Sequence, residues 1–136
     1  MRLEINRKTH LAVEAIGVLD DLHSRVQGAP LANAIGTSPA FLAQVMAPLV
    51  RNGWVDSVTG RAGGYALAVD PESISLLALI EAVEGPTDDG CALRGGECSS
   101  VDSCAIHDAW IRAKDLMVAE LSTQPITTVP RQGVLE

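Results

Sequence analysis

Apolar and polar positions alternate along most of this chain with a helical period. Residues 6–25 place Leu11, Ala15, Val18, Leu19 and Leu22 on one side, which predicts an amphipathic helix. Gly28-Ala29-Pro30 is expected to break it, and residues 31–35 to form a short second helix stopped at Gly36. Ser38-Pro39 then opens a third helix. Serine suits the cap, and proline suits the first turn, where its missing N–H costs little. Phe41, Leu42, Val45, Met46, Leu49 and Val50 carry this helix to Gly53. Pro48, late inside it, removes one backbone bond and is expected to kink the last turn.

The period then changes. Residues 54–58 and 65–69 read as two short strands, and the Gly-rich segment 59–64 between them reads as a flexible hairpin tip carrying one cation, Arg61. Ser75 caps a predicted helix over 76–84, ended by Gly85. Residues 86–103 are rich in Gly, Asp and Cys and have little to bury. A last long helix is expected over 104–121, with Ile106, Trp110, Ala113, Met117 and Leu121 as one stripe, followed by a polar, frayed tail from Ser122. Two helices joined at Gly36 and followed by a hairpin suggest a helix-turn-helix with a wing. The fold class expected is therefore mainly α with a small two-stranded wing. The bland alternative is a small α+β domain whose helices merely pack.

Composition narrows the picture. A length of 136 residues corresponds to about one domain. With 47% hydrophobic but only 3% aromatic residues, the core has to be built from Ala, Val, Leu and Ile. No apolar run approaches the ~18 residues of a membrane span. Arg2, Arg7 and Lys8 precede an apolar stretch as in a signal peptide, but Glu14, Asp20 and Asp21 interrupt it, so a soluble, cytoplasmic protein is expected. The net charge of −7 speaks against a nucleic-acid partner until it is divided. Residues 1–64 hold six basic and five acidic side chains (net +1), and residues 65–136 hold four and twelve (net −8). The helix-turn-helix region is thus near neutral and can present a local basic face.

The chain has three cysteines, Cys91, Cys98 and Cys104, all within fourteen residues. An odd, clustered set in a cytosolic chain favours a metal or redox site over a disulfide framework. With His107 the spacing is C-x6-C-x5-C-x2-H. Thiolates suit iron–sulfur clusters, zinc and copper(I). His107 lies one turn beyond Cys104 if the helix begins there, so the two could converge on one metal. Structural zinc sites usually use tight cysteine pairs. The wider gaps here fit a bulkier inorganic cluster better, with zinc the main competitor. No nucleophile–base pair stands out, so the chain is not read as an enzyme.

Taken together, these segments resemble the iron–sulfur winged-helix transcription regulators of the IscR/NsrR type, the Rrf-two family. The resemblance rests on Ser38-Pro-Ala-Phe-Leu-Ala-Gln-Val-Met, Leu49-Val-Arg-Asn-Gly-Trp-Val and the hairpin Ser57-Val-Thr-Gly-Arg-Ala-Gly-Gly-Tyr65. Ile80-Glu-Ala-Val-Glu-Gly85, the cysteine loop and His107-Asp-Ala-Trp110 complete it. It covers about residues 1–121. It implies a homodimer built on the long C-terminal helix, a cluster near the dimer interface and binding to a near-palindromic operator in double-stranded DNA. Cys91, Cys98 and Cys104 fall where the family carries its cluster cysteines, and His107 matches the histidine ligand of the IscR branch. Other branches take the remaining ligand from near the start of the first helix of the partner subunit, where this chain offers His10 and Glu14. Three departures stand out. The first cysteine gap is six residues instead of five, which leaves two-iron (2Fe-2S) and four-iron (4Fe-4S) clusters both open. Thr59 replaces a common basic residue in the wing. Pro48 is unusual in the recognition helix.

The resemblance implies a division into a DNA-binding region (1–85), a cluster loop (86–103), a dimerisation helix (104–121) and a flexible tail (122–136). Ser38, Ala40 and Gln44 are expected on the outward face of the third helix, with Gln suited to adenine and Ala to a thymine methyl. Arg61 is expected in the minor groove or on phosphate, with Arg51 and Arg7 as further phosphate contacts. Phe41, Leu42, Val45 and Leu49 are expected in the core, and His23 on the surface. A non-thiolate ligand binds iron less strongly and exposes an edge, so such a site suits a sensor of redox state, nitric oxide or iron status. A zinc-stabilised, non-sensing repressor and a small iron–sulfur carrier are the two alternatives.

Overall fold

The computed structural model describes residues 4–87 and 106–131. Cys91, Cys98 and Cys104 lie outside the described residues. The elements run α1 (Arg7–Leu22), α2 (Gly28–Ile35), α3 (Pro39–Arg51), β1 (Val55–Val58), β2 (Gly64–Leu67), α4 (Leu76–Glu84) and α5 (His107–Thr123), with 3-10 turns at Pro71–Ser73 and Ile126–Thr128.

Helix α1 is the central post. Asn6 caps it by accepting from the Thr9 amide at 3.0 Å, and Leu11, Ala12, Ala15, Ile16 and Leu19 are buried along it. It ends three residues earlier than its apolar pattern suggests. His23, exposed as expected, adopts the left-handed conformation (φ 48°) and donates its amide to Leu19 O, closing the last turn. Helix α2 begins earlier than expected, and Gly28-Ala29-Pro30 form its first turn instead of breaking the chain. The physical reason is that amides in the first turn have no intrahelical partner, so a proline there sacrifices nothing. Gly36, at φ 75°, terminates α2, and Thr37 N donates back to Ala32 O at 2.9 Å. Helix α3 starts on Ser38, whose hydroxyl accepts from Phe41 N at 3.1 Å, and runs through Pro48 to Arg51.

β1 and β2 pair antiparallel from Val55↔Leu67 to Val58↔Gly64. The strand pattern in sequence placed β2 one residue late and both outer ends too far. Outside this ladder, Val26 pairs with Tyr65 through two 2.8 Å backbone bonds, adding a one-residue third strand from the α1–α2 connector. The core is aliphatic, as the composition requires: the α1 residues above join Leu31, Ala32, Leu42, Val45, Met46, Leu49, Val55, Ile74, Leu76 and Leu79. Phe41 packs half-buried against it.

The tail expected to fray from Ser122 is docked as far as Arg131. Leu76 N donates to Gln124 O at 2.7 Å, Ile126 N donates to Ile74 O at 3.0 Å, and Arg131 pairs with Asp21. Ile126, only 2% exposed, is part of the core. Ile126 and Val129 are the two aliphatic residues of segment 122–131, too few to give a periodic signal, so their destination is invisible in sequence. The stripe expected on α5 also divides. Trp110 and Leu121 are half-buried, while Ile106, Ala113 and Met117 are exposed. Seventeen-residue α5 spans about 26 Å and nine-residue α4 about 14 Å. Since α4 sets out from beside the end of α5, the first half of α5 has no length of α4 to lie on. That explains why no α5 residue is fully buried and why, among its apolar residues, Leu121 packs against the core. Among the described residues no helix is long and apolar enough to cross a membrane.

Ile126→Ala should lower stability by about 2–4 kcal/mol in urea unfolding, the usual range for truncating a fully buried isoleucine. A tail that contributed nothing to folding would leave the midpoint unchanged.

Candidate nucleic-acid interface and metal-ligand residues

The orientation of α3 is fixed by what it buries. Leu42, Val45, Met46 and Leu49 occupy one side at helical spacing and are all at most 1% exposed. Ser38, Pro39, Ala40, Ala43 and Gln44 are left exposed on the other side. Ala40 and Gln44 are one turn apart and so share a face. The structure therefore brings together the three residues predicted from sequence to read bases, at the open N-terminal half of α3. The Ser38 oxygen is also engaged in capping, which leaves its hydroxyl proton and one lone pair for a ligand contact. Arg51 is exposed in the last turn, about 10 Å along the axis from Gln44. It is separated from Ser38, Ala40 and Gln44 and lies toward β1.

Arg61 is exposed at the tip of the β1–β2 hairpin. The tip is folded on itself: Gly60 is at φ 99°, and Gly63 N donates to Gly60 O at 3.0 Å. Gly64, at φ 125°, lies so close to the α1–α2 connector that a Cβ would run into the Val26 carbonyl oxygen. Glycine is required there on both counts.

The connector itself was not singled out from sequence, yet three successive residues of it grip the hairpin. Arg25 forms an ion pair with Asp56 of β1 and donates to Gly64 O at 2.9 Å. Val26 pairs with Tyr65, and Gln27 Nε2 donates to Arg61 O at 2.5 Å. These contacts join residues more than thirty positions apart, and no local pattern announces them. Gln27 precedes α2 without capping it, because its side chain is committed to the wing.

Of the candidate metal ligands, His107 is the first residue of α5 and is half-buried. His10 and Glu14 sit one turn apart on α1, with Nε2 and Oε1 3.9 Å apart. Among the described residues no group of three or more His, Cys, Asp or Glu side chains is placed to hold a metal. Thr9, next to His10, is fully buried and donates to Glu84 Oε2 at 2.6 Å. This bond ties the start of α1 to the end of α4, just before the cysteine segment.

Comparison with known proteins decides the family. The model of the Rrf2 family, described as iron-dependent transcriptional regulators, matches residues 5–131. The chain belongs to the Rrf2 family. It is 35% identical over 105 residues to the HTH-type transcriptional regulator IscR of Escherichia coli, an alignment covering 74% of this chain and 64% of that protein. The chain thus spans somewhat less than two thirds of the IscR it matches. Among solved structures, the T. potens IscR superposes with a TM-score of 0.67 at 26% identity, covering 92% of this chain and 84% of that one. CymR, the global cysteine regulator of B. subtilis, superposes with a TM-score of 0.69 at 24% identity, covering 93% and 95%. The winged-helix fold expected from sequence is the fold of this family. These matched relatives are named as regulators, the class chosen above over an enzyme.

Gly64→Ala should cost at least about 1 kcal/mol in thermal or urea unfolding, because it forces an L-residue into a left-handed conformation against a backbone carbonyl. Gly36→Ala carries the positive-φ cost alone, since its Cβ meets nothing within 4 Å. Gly64→Ala, with a φ farther from the left-handed well and a Cβ against the Val26 carbonyl, should be the more destabilising of the two.

Proposed function

We propose that this Rrf2-family chain is a cytoplasmic, homodimeric, DNA-binding transcriptional regulator whose affinity for an operator responds to an iron–sulfur cluster. The observation that carries the DNA-binding half is the exposed N-terminal face of α3, together with an exposed hairpin tip that offers Arg61. An α-helix of this size fits the major groove, and a basic wing tip suits the adjacent minor groove or phosphates. In this reading Gln44 and Ala40 contact base edges, Ser38 donates its hydroxyl proton, and Arg61 and Arg51 contact the DNA backbone or minor groove. The exposed Ile106, Leu116 and Met117, on a helix that outruns α4, are the apolar surface available for pairing with a second copy. Residues 1–85, 86–103 and 104–121 then serve as DNA-binding region, cluster loop and dimerisation helix.

The donor set supports the sensing half. Cys91, Cys98 and Cys104, which follow α4 in sequence, and His107 at the start of α5 provide three soft thiolates and one imidazole. A cluster held there, two-iron or four-iron, would supply an iron centre open to nitric oxide, oxidant or iron loss at its weaker, non-thiolate corner. His107, at the first position of α5, would connect the site to the dimerisation helix. His10 or Glu14 of the partner subunit is the alternative fourth ligand. A second reading, a zinc-stabilised non-sensing repressor, is favoured by the same donors, since three cysteines and a histidine are also a structural zinc set. Membership in a family of regulators weighs against an iron–sulfur carrier.

Two experiments test the proposal. In the first, anaerobically purified protein should show a broad visible absorbance with matching iron and sulfide, altered by nitric oxide or air. Cys98→Ala should abolish the band while leaving the helical circular dichroism intact. Colourless protein with stoichiometric zinc would establish the second reading. In the second, the protein should enrich a near-palindromic sequence from a randomised duplex library. Gln44→Ala should relax the preference at one position per half-site, at a cost of about 1–3 kcal/mol for the favoured base. Failure to enrich any sequence at low salt would overturn the DNA-binding reading.

A further inference from the structure

The α1–α2 connector grips the wing with three successive residues. Arg25 spans the ladder: its guanidinium pairs with the Asp56 carboxylate near the base of β1 and donates to Gly64 O at the tip end of β2 at 2.9 Å and to Asp56 O at 3.5 Å, bridging the two strands. At the middle, Val26 and Tyr65 exchange two 2.8 Å backbone bonds. At the tip, Gln27 Nε2 reaches Arg61 O at 2.5 Å. The next residue, Gly28, begins α2, the first helix of the helix-turn-helix. An isolated two-stranded hairpin is marginally stable in water, and this one has only four residues in each strand. The exposed Arg25–Asp56 pair adds little to global stability. Its geometric effect is larger, because it bears on a short lever whose tip carries a DNA-facing cation.

Resting on the DNA-binding reading above, we propose that Arg25 and Gln27, with Asp56 as the anchor for Arg25, are positioning residues for DNA binding. They fix the hairpin to α2 so that Arg61 meets the DNA at a set distance from the first turn of α3. The wing then moves with the helix-turn-helix as one body.

Asp56 supplies a test by sign. It is an exposed acid on the hairpin that faces DNA, so electrostatics alone predicts that Asp56→Ala tightens binding to a polyanion. A clamp predicts the opposite. The experiment uses the full chain and a fluorescent duplex of the sequence enriched from the randomised library, with anisotropy titrations across a salt series. Asp56→Ala should weaken binding about fivefold, on the order of one lost phosphate contact, and lower the salt slope by about one, as Arg61→Ala does. Adding Arg61→Ala to Asp56→Ala should cost clearly less than Arg61→Ala alone, since an unclamped Arg61 has already lost its contact. Gln27→Ala should follow Asp56→Ala in kind. Unchanged or tighter binding by Asp56→Ala, or full additivity with Arg61→Ala, would overturn the proposal. Amide hydrogen exchange on the DNA-free protein separates the two layers of inference. Val26 and Tyr65 amides should exchange faster in Arg25→Ala and Asp56→Ala, with Ala15 and Ile16 unchanged. Unaltered protection at Val26 and Tyr65 refutes the clamp even if DNA binds. Lost protection in a chain that enriches no duplex keeps the clamp but refutes its role in DNA binding, along with the DNA-binding reading itself.

Discussion

The surface that matters here depends on one packing constraint: α3 can bury only one side. Leu42, Val45, Met46 and Leu49 are locked between α1 and the α4 region, and rotating α3 by a quarter turn would expose two of them and bury Gln44. Exposing a fully buried leucine or valine costs about 1.5–3 kcal/mol, a large part of the stability of a small domain. The rotation of α3 is therefore set by the core, and the outward direction of Ala40 and Gln44 follows from it. The cap adds a second restraint. With Ser38 accepting from Phe41 N, the first turn is fixed in register as well as in rotation.

The wing is held by a different kind of interaction. Its strands bury little: Val55 is its buried apolar residue, and Val58 is 46% exposed. Backbone pairing and polar side chains from the connector supply what apolar burial does not. Gly64 is the junction, because the left-handed turn into β2 and the approach of the Val26 carbonyl meet at the same residue. Core packing thus orients the helix, and a polar clamp orients the hairpin, with the connector between α1 and α2 serving both.

What could be read from sequence divides along the same line. Helix α3, its cap and its buried face were legible because periodicity and the Ser-Pro start are local signals. Helix α4 was legible to the residue for the same reason, with Ser75 before it and Gly85 after it. The start of α2 was misread because Gly-Ala-Pro signals a break and a helix start equally well. Ile126 and the Arg25–Val26–Gln27 clamp were not legible, since each takes its role from residues far away in the chain. For the candidate site, Ser38, Ala40, Gln44 and Arg61 stand on exposed surface as the pattern predicted. The residues that hold the wing cation in place had no signal at all.

The end of α4 is tied to the start of α1 by one buried hydroxyl. Thr9 is fully buried, and leaving its hydroxyl unpaired would cost about 1–3 kcal/mol. Its partner is the carboxylate of Glu84, the last residue of α4, placed at the N-terminus of α1, where a negative charge is also favoured by the helix dipole. The end of α4 and the start of α1 are therefore energetically one unit. His10, Glu14 and the entry to the cysteine segment all lie within a few residues of that bond. Any change that displaces the end of α4 has to break the Thr9–Glu84 bond or carry α1 with it. Since α1 is the post on which α2, α3 and the wing connector are mounted, the bond ties the end of α4 to the helix that carries them.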